Sequence, residues 1–305
     1  MGGTGAPDWI AVDWGTSNLR AWAIDKGGSA LAMKDSDAGM GRLKQDEFQG
    51  ALLSLVEDWL SPDRTTDVVA CGMVGARQGW KEAAYRAVPC TPAGDGALAV
   101  SGTDSRIRVS ILPGLMQAEP ADVMRGEETQ IAGYLAQNPE FSGLVCLPGT
   151  HSKWARVADG KVIGFTTFMT GELFALLSGQ SVLRHSVGTD GWHAVSFAAA
   201  LRVSAEAPET AIAGLFRLRA EGLVHGLAPE AARARLSGLL LGMELAATRT
   251  LWTGVPVVII GAKGIGGRYA EALEMLGGEA QLADGDAMTL AGLVSAYRQL
   301  QGGTR

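Results

Sequence analysis

Short apolar runs closed by small polar turns open the chain and set the first expectations. Trp9 to Val12 ends at Asp13, and Leu19 to Ile24 follows across the tight link Gly15-Thr16-Ser17, which predicts a hairpin. A third strand is expected near Ala30 to Lys34. Phe48, Leu52, Leu55, Val56 and Trp59 then recur at helical spacing, before Val68 to Ala70 reads as a buried strand. Ile107 to Leu112 predicts a further strand, and Glu127 to Gln137 a helix with Ile131, Tyr134 and Leu135 on one side.

The second half opens in the same way. Leu144 to Leu147 runs into Pro148-Gly149-Thr150-His151-Ser152-Lys153, Trp154 to Val157 continues beyond, and Asp159-Gly160 turns the chain back into Lys161 to Phe168. This is a repeat of topology rather than of sequence. From roughly Ser196 to Thr250 the pattern is Ala- and Leu-rich and helical. Pro256 to Ile260 is then a strand entering the Gly-rich segment Gly261 to Gly267, with a helix over Arg268 to Leu276, a strand over Ala280 to Leu282 and a helix over Asp286 to Leu300. The alternation predicts an α/β protein with mixed sheets in two lobes, 8–139 and 140–305, the last helix (about 286–301) packing back across them.

Composition narrows the class. With 47% hydrophobic and 19% charged residues in 305, the chain is globular, and no apolar run approaches the ~18 residues of a membrane span. Met1 to Pro7 has neither the charged nor the apolar region of a signal peptide, so the cytoplasm is expected. Cys71, Cys90 and Cys146 are too few and too far apart for a disulfide framework or zinc site, and are expected as small buried hydrophobes. The net charge of −6, spread without a basic block, gives no footprint for nucleic acid.

Three segments carry candidate chemistry. Asp13-Trp14-Gly15-Thr16-Ser17 places a carboxylate at a strand end before a turn able to cradle phosphate oxygens, with Asp13 suited to Mg²⁺. Gly149-Thr150-His151-Ser152-Lys153 repeats the design with a lysine as point charge. Gly261-Ala262-Lys263-Gly264 follows a strand and leads into a helix, where glycine permits close approach of a ligand. The dinucleotide fingerprint fails, because Tyr269 stands where its third glycine belongs, and no G-x-x-x-x-G-K-[ST] exists.

The order hairpin, hairpin, strand-glycine-helix resembles the two phosphate motifs and the adenosine motif of the acetate and sugar kinase, actin and chaperone superfamily. Within it the chain resembles the 2-dehydro-3-deoxygalactonokinase family along nearly its whole length. Four stretches carry this: Ile10 to Trp22; Gly72-Met73-Val74-Gly75 with Gly79-Trp80; Val123 to Gln130, containing Arg125-Gly126-Glu127-Glu128; and Pro148 to Trp154 with Met169 to Leu173. The resemblance implies a two-lobed actin-like (ribonuclease H-like) fold with ATP in a cleft between lobes. It further implies γ-phosphoryl transfer to the terminal hydroxyl of 2-dehydro-3-deoxy-D-galactonate, giving the 6-phosphate and ADP.

Each candidate has a plain structural reading beside the functional one. Arg20, Arg42, Arg77 and Arg125 suit a sugar-acid carboxylate bidentately, but solvated or structural arginines are common, Arg42 and Arg77 above all. Asn18 joins the substrate set, and Trp80 is either a sugar platform or core. Glu127 and Glu128 begin a helix, where the dipole alone favours carboxylates, and one of them is expected as the base, Glu127 first, with Asp122 in reserve. Glu172 is as well read as a helix cap. The expected ligands are ATP, Mg²⁺ and a small sugar acid, without nucleic acid or membrane, and a homodimer is compatible. Two other classes fit the phosphate turns: a same-fold kinase for another deoxy sugar acid or aminosugar, and a non-metabolic actin-like ATPase. A non-catalytic sugar-acid binder would leave the turns without ligand.

Overall fold

The computed structural model describes residues 6–93 and 95–302, in which the chain divides into two compact units. Of the described residues, the first contains those up to Phe141, Ala158–Gly164 and those from Gly285 on, and the second contains Ser142–Val157 and Phe165–Asp284.

In the first unit the strands are β1 (Trp9–Trp14), β2 (Leu19–Ile24), β3 (Ala30–Ser36), β4 (Thr66–Gly72), β5 (Tyr85–Ala87), β6 (Leu98–Ala99), β7 (Ile107–Ile111), β8 (Gly114–Gln117) and β9 (Asp122–Met124). The main sheet has the order β3-β2-β1-β4-β7-β6, and β5-β8-β9 form a small second sheet. β1 pairs antiparallel with β2, and parallel with β4, which is itself parallel to β7. β1 is apolar without alternation because both of its faces are covered. Ile10, Val12 and Trp14 pack with Phe48 and Leu52 of α1 (Phe48–Val56). Trp9 and Ala11 pack on the other face with Ala132 of α2 (Glu127–Gln137) and with a late helix that carries Leu293 and Ala296. The short strands β5, β6, β8 and β9 have no counterpart in the sequence reading, since two to four residues are too few for a period to register.

The second unit repeats the plan. Its sheet has the order β12-β11-β10-β13-β14, built from β10 (Gly143–Leu147), β11 (Ser152–Ala158), β12 (Lys161–Phe168), β13 (Val257–Gly261) and β14 (Gln281–Asp284). Asp159 (φ 50) and Gly160 (φ 69) form the tight turn that joins β11 to β12. Six helices follow: α3 (Thr170–Gly179), α4 (Ala194–Glu206), α5 (Ala211–His225), α6 (Pro229–Ala247), α7 (Arg249–Trp252) and α8 (Lys263–Met275). Phe197, Leu201, Leu241, Leu245 and Leu273 from these helices close over Leu144, Cys146 and Ile259 of the sheet. Beyond the cap reading of Glu172, α3 escapes sequence reading because none of its residues is fully buried, so no apolar stripe marks it. Cys71 and Cys146 are buried as expected, whereas Cys90 is only half-buried.

The last helix, α9 (Gly285–Gly302), belongs to the first unit and crosses α2 at glycine. A Cβ on Gly133 of α2 would lie 2.8 Å from the Gly292 nitrogen, and one on Gly292 2.8 Å from the Thr129 carbonyl carbon. The two backbones touch, so no side chain fits. Gly292→Ala is expected to destabilise the protein by about 3 kcal/mol, the upper end of overpacking costs. Gly50→Ala, at an exposed helical site with open space around it, should stabilise by about 0.5–1 kcal/mol. Denaturant unfolding of the two variants checks both signs.

Candidate active site

The strand period puts Asp13 on the face of β1 that α2 and α9 cover, at its carboxyl end. Arg20 lies opposite in register on β2 and donates from Nη2 to Asp13 Oδ2 at 2.5 Å, while Nη1 donates to the Asp286 carboxylate at the start of α9. Burial disfavours its charge, but the two carboxylates, Asp13 first, hold the guanidinium above its ordinary pKa. Arg20 was expected to meet a sugar carboxylate. The structure instead commits both arms of its fork to protein carboxylates, and so uses it to fix Asp13.

Two glycines then bring a helix to this strand end. Gly72 closes β4 at φ 89, where a Cβ would stand 2.7 Å from the Trp14 carbonyl oxygen, and Gly126 precedes α2 at φ 108, where a Cβ would stand 3.4 Å from Gly72 Cα. The first turn of α2 therefore abuts the ends of β1 and β4. Glu127 Oε2 accepts the Arg125 N–H at 3.0 Å, and Glu128 accepts the Gly126 N–H at 2.7 and 2.9 Å. Both carboxyls thus satisfy backbone donors ahead of the helix. Their exposure separates them: Glu127 is half-buried, whereas Glu128 is 1% exposed. Burial, reinforced by the Glu127 charge, pushes the Glu128 carboxyl up to about 8 against the opposing pull of the Gly126 N–H and Arg125. Asp122 lies half-buried on β9, its Oδ1 accepting the Val123 N–H at 2.8 Å.

Of the remaining substrate candidates of this unit, Arg125 and Trp80 are turned inward, and Asn18, Arg42 and Arg77 are exposed. Arg125 is 8% exposed, donates to the Ala83 carbonyl at 2.8 Å and lies 4.2 Å over the Tyr85 ring, with Nε and Nη1 buried and unbonded. It is closed into the protein rather than presented at a surface. Trp80 stacks on Phe48 at 6.4 Å and meets Trp14 edge-on at 6.2 Å, as a packing residue. Asn18 is exposed, and its carbonyl accepts the Gly15 N–H at 2.9 Å to close the turn. Thr16 and Ser17 are exposed at its tip. The turn has a brace that sequence reading missed: Met40 and Gly41 donate to the Gly15 and Thr16 carbonyls, both at 2.9 Å. Gly39-Met40-Gly41 was its only signal. Arg42 and Arg77 are exposed, paired with Asp37 and Glu82.

In the second unit a cavity of about 450 Å³ lies among Gly149 and Thr150, Thr170 and Gly171 at the start of α3, and Gly264 and Tyr269 of α8. Its size falls in the ordinary range for small-molecule sites. The glycine segment differs from expectation. α8 begins at Lys263, so Gly264 sits in its first turn with open space around it, and only Gly261 and Ala262 remain outside. The α3 start packs on the Gly149-Thr150 turn, where the Glu172 N–H donates to the Thr150 carbonyl at 2.9 Å and a Cβ on Gly171 would lie 3.0 Å from Thr150 Cα. His151 and Glu172 pair at 2.5 Å, so Glu172 engages a side chain rather than capping its own helix.

Ser152 and Lys153, expected in the phosphate cradle, are 0% and 5% exposed. Ser152 faces inward, because its hydroxyl donates at 2.8 Å to Glu244. Glu244 was not anticipated. It is 2% exposed, and it also accepts from Trp154 Nε1 at 2.7 Å and Tyr269 Oη at 2.9 Å. Its signal was a lone acid in the apolar stretch Leu239 to Ala247.

Glu128 makes stability pH-dependent with a defined sign. Its folded pKa of about 8 exceeds the ordinary carboxyl value, so the folded state holds a proton that the unfolded state has released. The contribution is intact below the unfolded pKa and is lost as pH rises toward 8, at up to about 1.4 kcal/mol per pH unit. Glu128→Gln, which mimics the protonated form, should flatten this slope in unfolding free energies measured from pH 5 to 9. An unchanged slope would refute the assignment.

Comparison with known proteins agrees with this architecture. The family described as 2-keto-3-deoxy-galactonokinase matches residues 13–296. A protein of Rhizobium meliloti (strain 1021) named probable 2-dehydro-3-deoxygalactonokinase DgoK1 is 41% identical, over 97% of this chain and 99% of its own. The 2-dehydro-3-deoxygalactonokinase of Escherichia coli (strain K12) is 34% identical, over 94% and 96%. A crystal structure of a protein from Sinorhizobium meliloti, assigned to the same activity, superposes with a TM-score of 0.87 at 40% identity, covering 96% of this chain and 99% of that one. Component A of the (R)-2-hydroxyglutaryl-CoA dehydratase of Acidaminococcus fermentans shares the fold alone, at TM-score 0.53 and 12% identity, over 96% and 98%. The mixed α/β fold is therefore actin-like, and the chain belongs to the 2-keto-3-deoxy-galactonokinase family.

Proposed function

We propose that the protein phosphorylates the terminal hydroxyl of 2-dehydro-3-deoxy-D-galactonate with ATP, giving the 6-phosphate and ADP. The observation that carries this reading, beside family membership, is the convergence of Asp13 and the first turn of α2 through Gly72 and Gly126. A phosphoryl-transfer enzyme needs positioning and charge stabilisation more than a strong base, and a half-buried carboxylate beside a strand-end aspartate suits that need.

Glu127 is the residue assigned to orient the acceptor hydroxyl and take its proton. Glu128 is too buried to touch a substrate, and its raised pKa keeps it largely protonated at neutral pH. The Thr16-Ser17 turn in the first unit and the Gly149-Thr150 turn in the second offer small, backbone-rich surfaces for phosphate oxygens. The cavity beside Gly264 is assigned to the nucleoside, where the first turn of α8 favours an electron-rich ligand.

The structure also fits Mg²⁺. Among the described residues no cluster of three or more His, Cys, Asp or Glu could hold a metal by itself. Mg²⁺ in phosphoryl-transfer sites is usually held by one or two carboxylates together with phosphate oxygens and waters. Asp13, 20% exposed at its strand end and fixed by Arg20, supplies such a carboxylate. Bound there, the ion would neutralise charge developing on the phosphates.

Glu127→Gln keeps size and hydrogen bonding but removes the proton acceptor, so kcat should fall by about 10²–10⁴ with ATP affinity nearly unchanged. Steady-state kinetics with ATP and sugar acid varied separately checks this, and near-normal kcat would remove the base from this residue. Asp13→Asn should lower turnover and raise the Mg²⁺ concentration needed for half-maximal rate, with an unchanged unfolding profile. Normal turnover at low Mg²⁺ would contradict the metal assignment.

A further inference from the structure

The Glu244 carboxylate has no place in the chemistry above, yet it lies behind three walls of the cavity assigned to the nucleoside. Oε1 accepts from Ser152 Oγ at 2.8 Å and Trp154 Nε1 at 2.7 Å, both on β11, the strand that continues the Gly149-Thr150 turn. Oε2 accepts from Tyr269 Oη at 2.9 Å, on α8 one turn beyond Gly264 and Ile265. Thr170, the first residue of α3, donates a further side-chain hydrogen bond. Thr170, Tyr269 and Gly264 line the cavity, whereas Ser152, Trp154 and Glu244 are at most 2% exposed and sit behind it.

Four donors converge on one buried carboxylate, and no cationic side chain is among them. Burial raises the pKa of Glu244, and the four hydrogen bonds oppose that rise, Thr170 first and then Trp154, Ser152 and Tyr269. A group so expensive to desolvate is destabilising in isolation, and an apolar residue in the same place would pack at lower cost. What a carboxylate supplies and a leucine does not is direction: each donor is held to one rotamer, and the four come from three elements around the cavity, β11, α3 and α8.

We propose that Glu244 is a positioning residue for nucleotide binding, fixing the second phosphate turn, the start of α3 and the start of α8 in the relative geometry that the nucleoside triphosphate requires. The inference rests on the assignment of this cavity to the nucleotide. It predicts a defect confined to nucleotide. Glu244 touches neither substrate, so acceptor affinity should not depend on it.

The test uses the full-length protein and the non-hydrolysable analogue ADPNP with Mg²⁺, titrated calorimetrically without sugar acid, beside steady-state kinetics. Glu244→Gln should weaken ADPNP binding and raise KM for ATP about tenfold, the scale of one hydrogen bond to a charged group. KM for the sugar acid should stay within about twofold of the parent value, since none of the four donors to Glu244 is assigned to the acceptor. Ser152→Ala, a milder change in case Glu244→Gln does not fold, should shift the same two quantities in the same direction. The double variant should be no worse than Glu244→Gln alone, because both remove one network. Unchanged ADPNP affinity in folded Glu244→Gln, or in Ser152→Ala should Glu244→Gln not fold, with only a lowered Tm, would overturn the proposal and leave Glu244 structural. Gly264→Val separates the two levels, because its side chain enters the cavity without meeting protein within 4 Å of its Cβ. If Gly264→Val weakens ADPNP and Glu244→Gln does not, the positioning role fails alone. If Gly264→Val also binds ADPNP normally, the cavity assignment fails and the inference with it.

Discussion

Backbone must meet backbone at the strand ends, and much of the molecule follows from that constraint. Helix N-termini present unsatisfied N–H groups, and a strand end presents a side chain free of its neighbours, but a Cβ at the contact would hold the two apart. In the first unit Gly72 and Gly126 remove that obstacle, both in conformations that other residues adopt only with strain. The second unit uses the same device where Gly171 lies against the turn at Gly149 and Thr150. Close approach has a consequence for charge, because it gathers Asp13, Glu127 and Glu128 around one strand end. Arg20 pairs with Asp13, and Glu128 holds its proton because burial, reinforced by the Glu127 charge, disfavours its ionisation.

The two sheets share one plan but have diverged in their chemistry. Each places a hairpin-linked strand next to a parallel neighbour, in the orders β3-β2-β1-β4-β7 and β12-β11-β10-β13-β14. The first strand end carries carboxylates, and the second carries glycine, hydroxyl and a lysine that is buried. Each unit also buries a glutamate, and the two solve the desolvation problem differently. Glu128 receives the Gly126 N–H and a weak contact from Thr129, and its proton affinity rises. Burial raises the proton affinity of Glu244 as well, but four side-chain donors oppose that rise, where Glu128 has mainly one backbone N–H.

Sequence legibility followed the same physics. Long buried strands and α2 were readable because covered faces demand continuous or periodic apolar residues, and α2 runs over Glu127–Gln137 as its pattern predicts. The small sheet β5-β8-β9 and helix α3 were not, the first being too short for a period and the second lacking a buried face. Asp13 and the two turns stood out in the sequence as candidates because their residue types are unusual at strand ends. For Arg20, Arg125 and Ser152 the protein partners were not legible, for a common reason. A sequence shows that a side chain can bind an anion or a phosphate, but not that Asp286, the Ala83 carbonyl or Glu244 has already engaged it. Those partners lie between 42 and 266 residues away, beyond any local pattern.

This arrangement performs phosphoryl transfer from ATP to a 2-keto-3-deoxy sugar acid. ADP release, followed by a coupled assay across a panel of such acids with the phosphorylated carbon located by NMR, tests it most directly. ADP is expected in equal amount with a terminally phosphorylated acid, fastest with 2-dehydro-3-deoxy-D-galactonate and negligible without acceptor. ADP release at the same rate with and without acid would contradict it and leave an ATPase in place of a kinase.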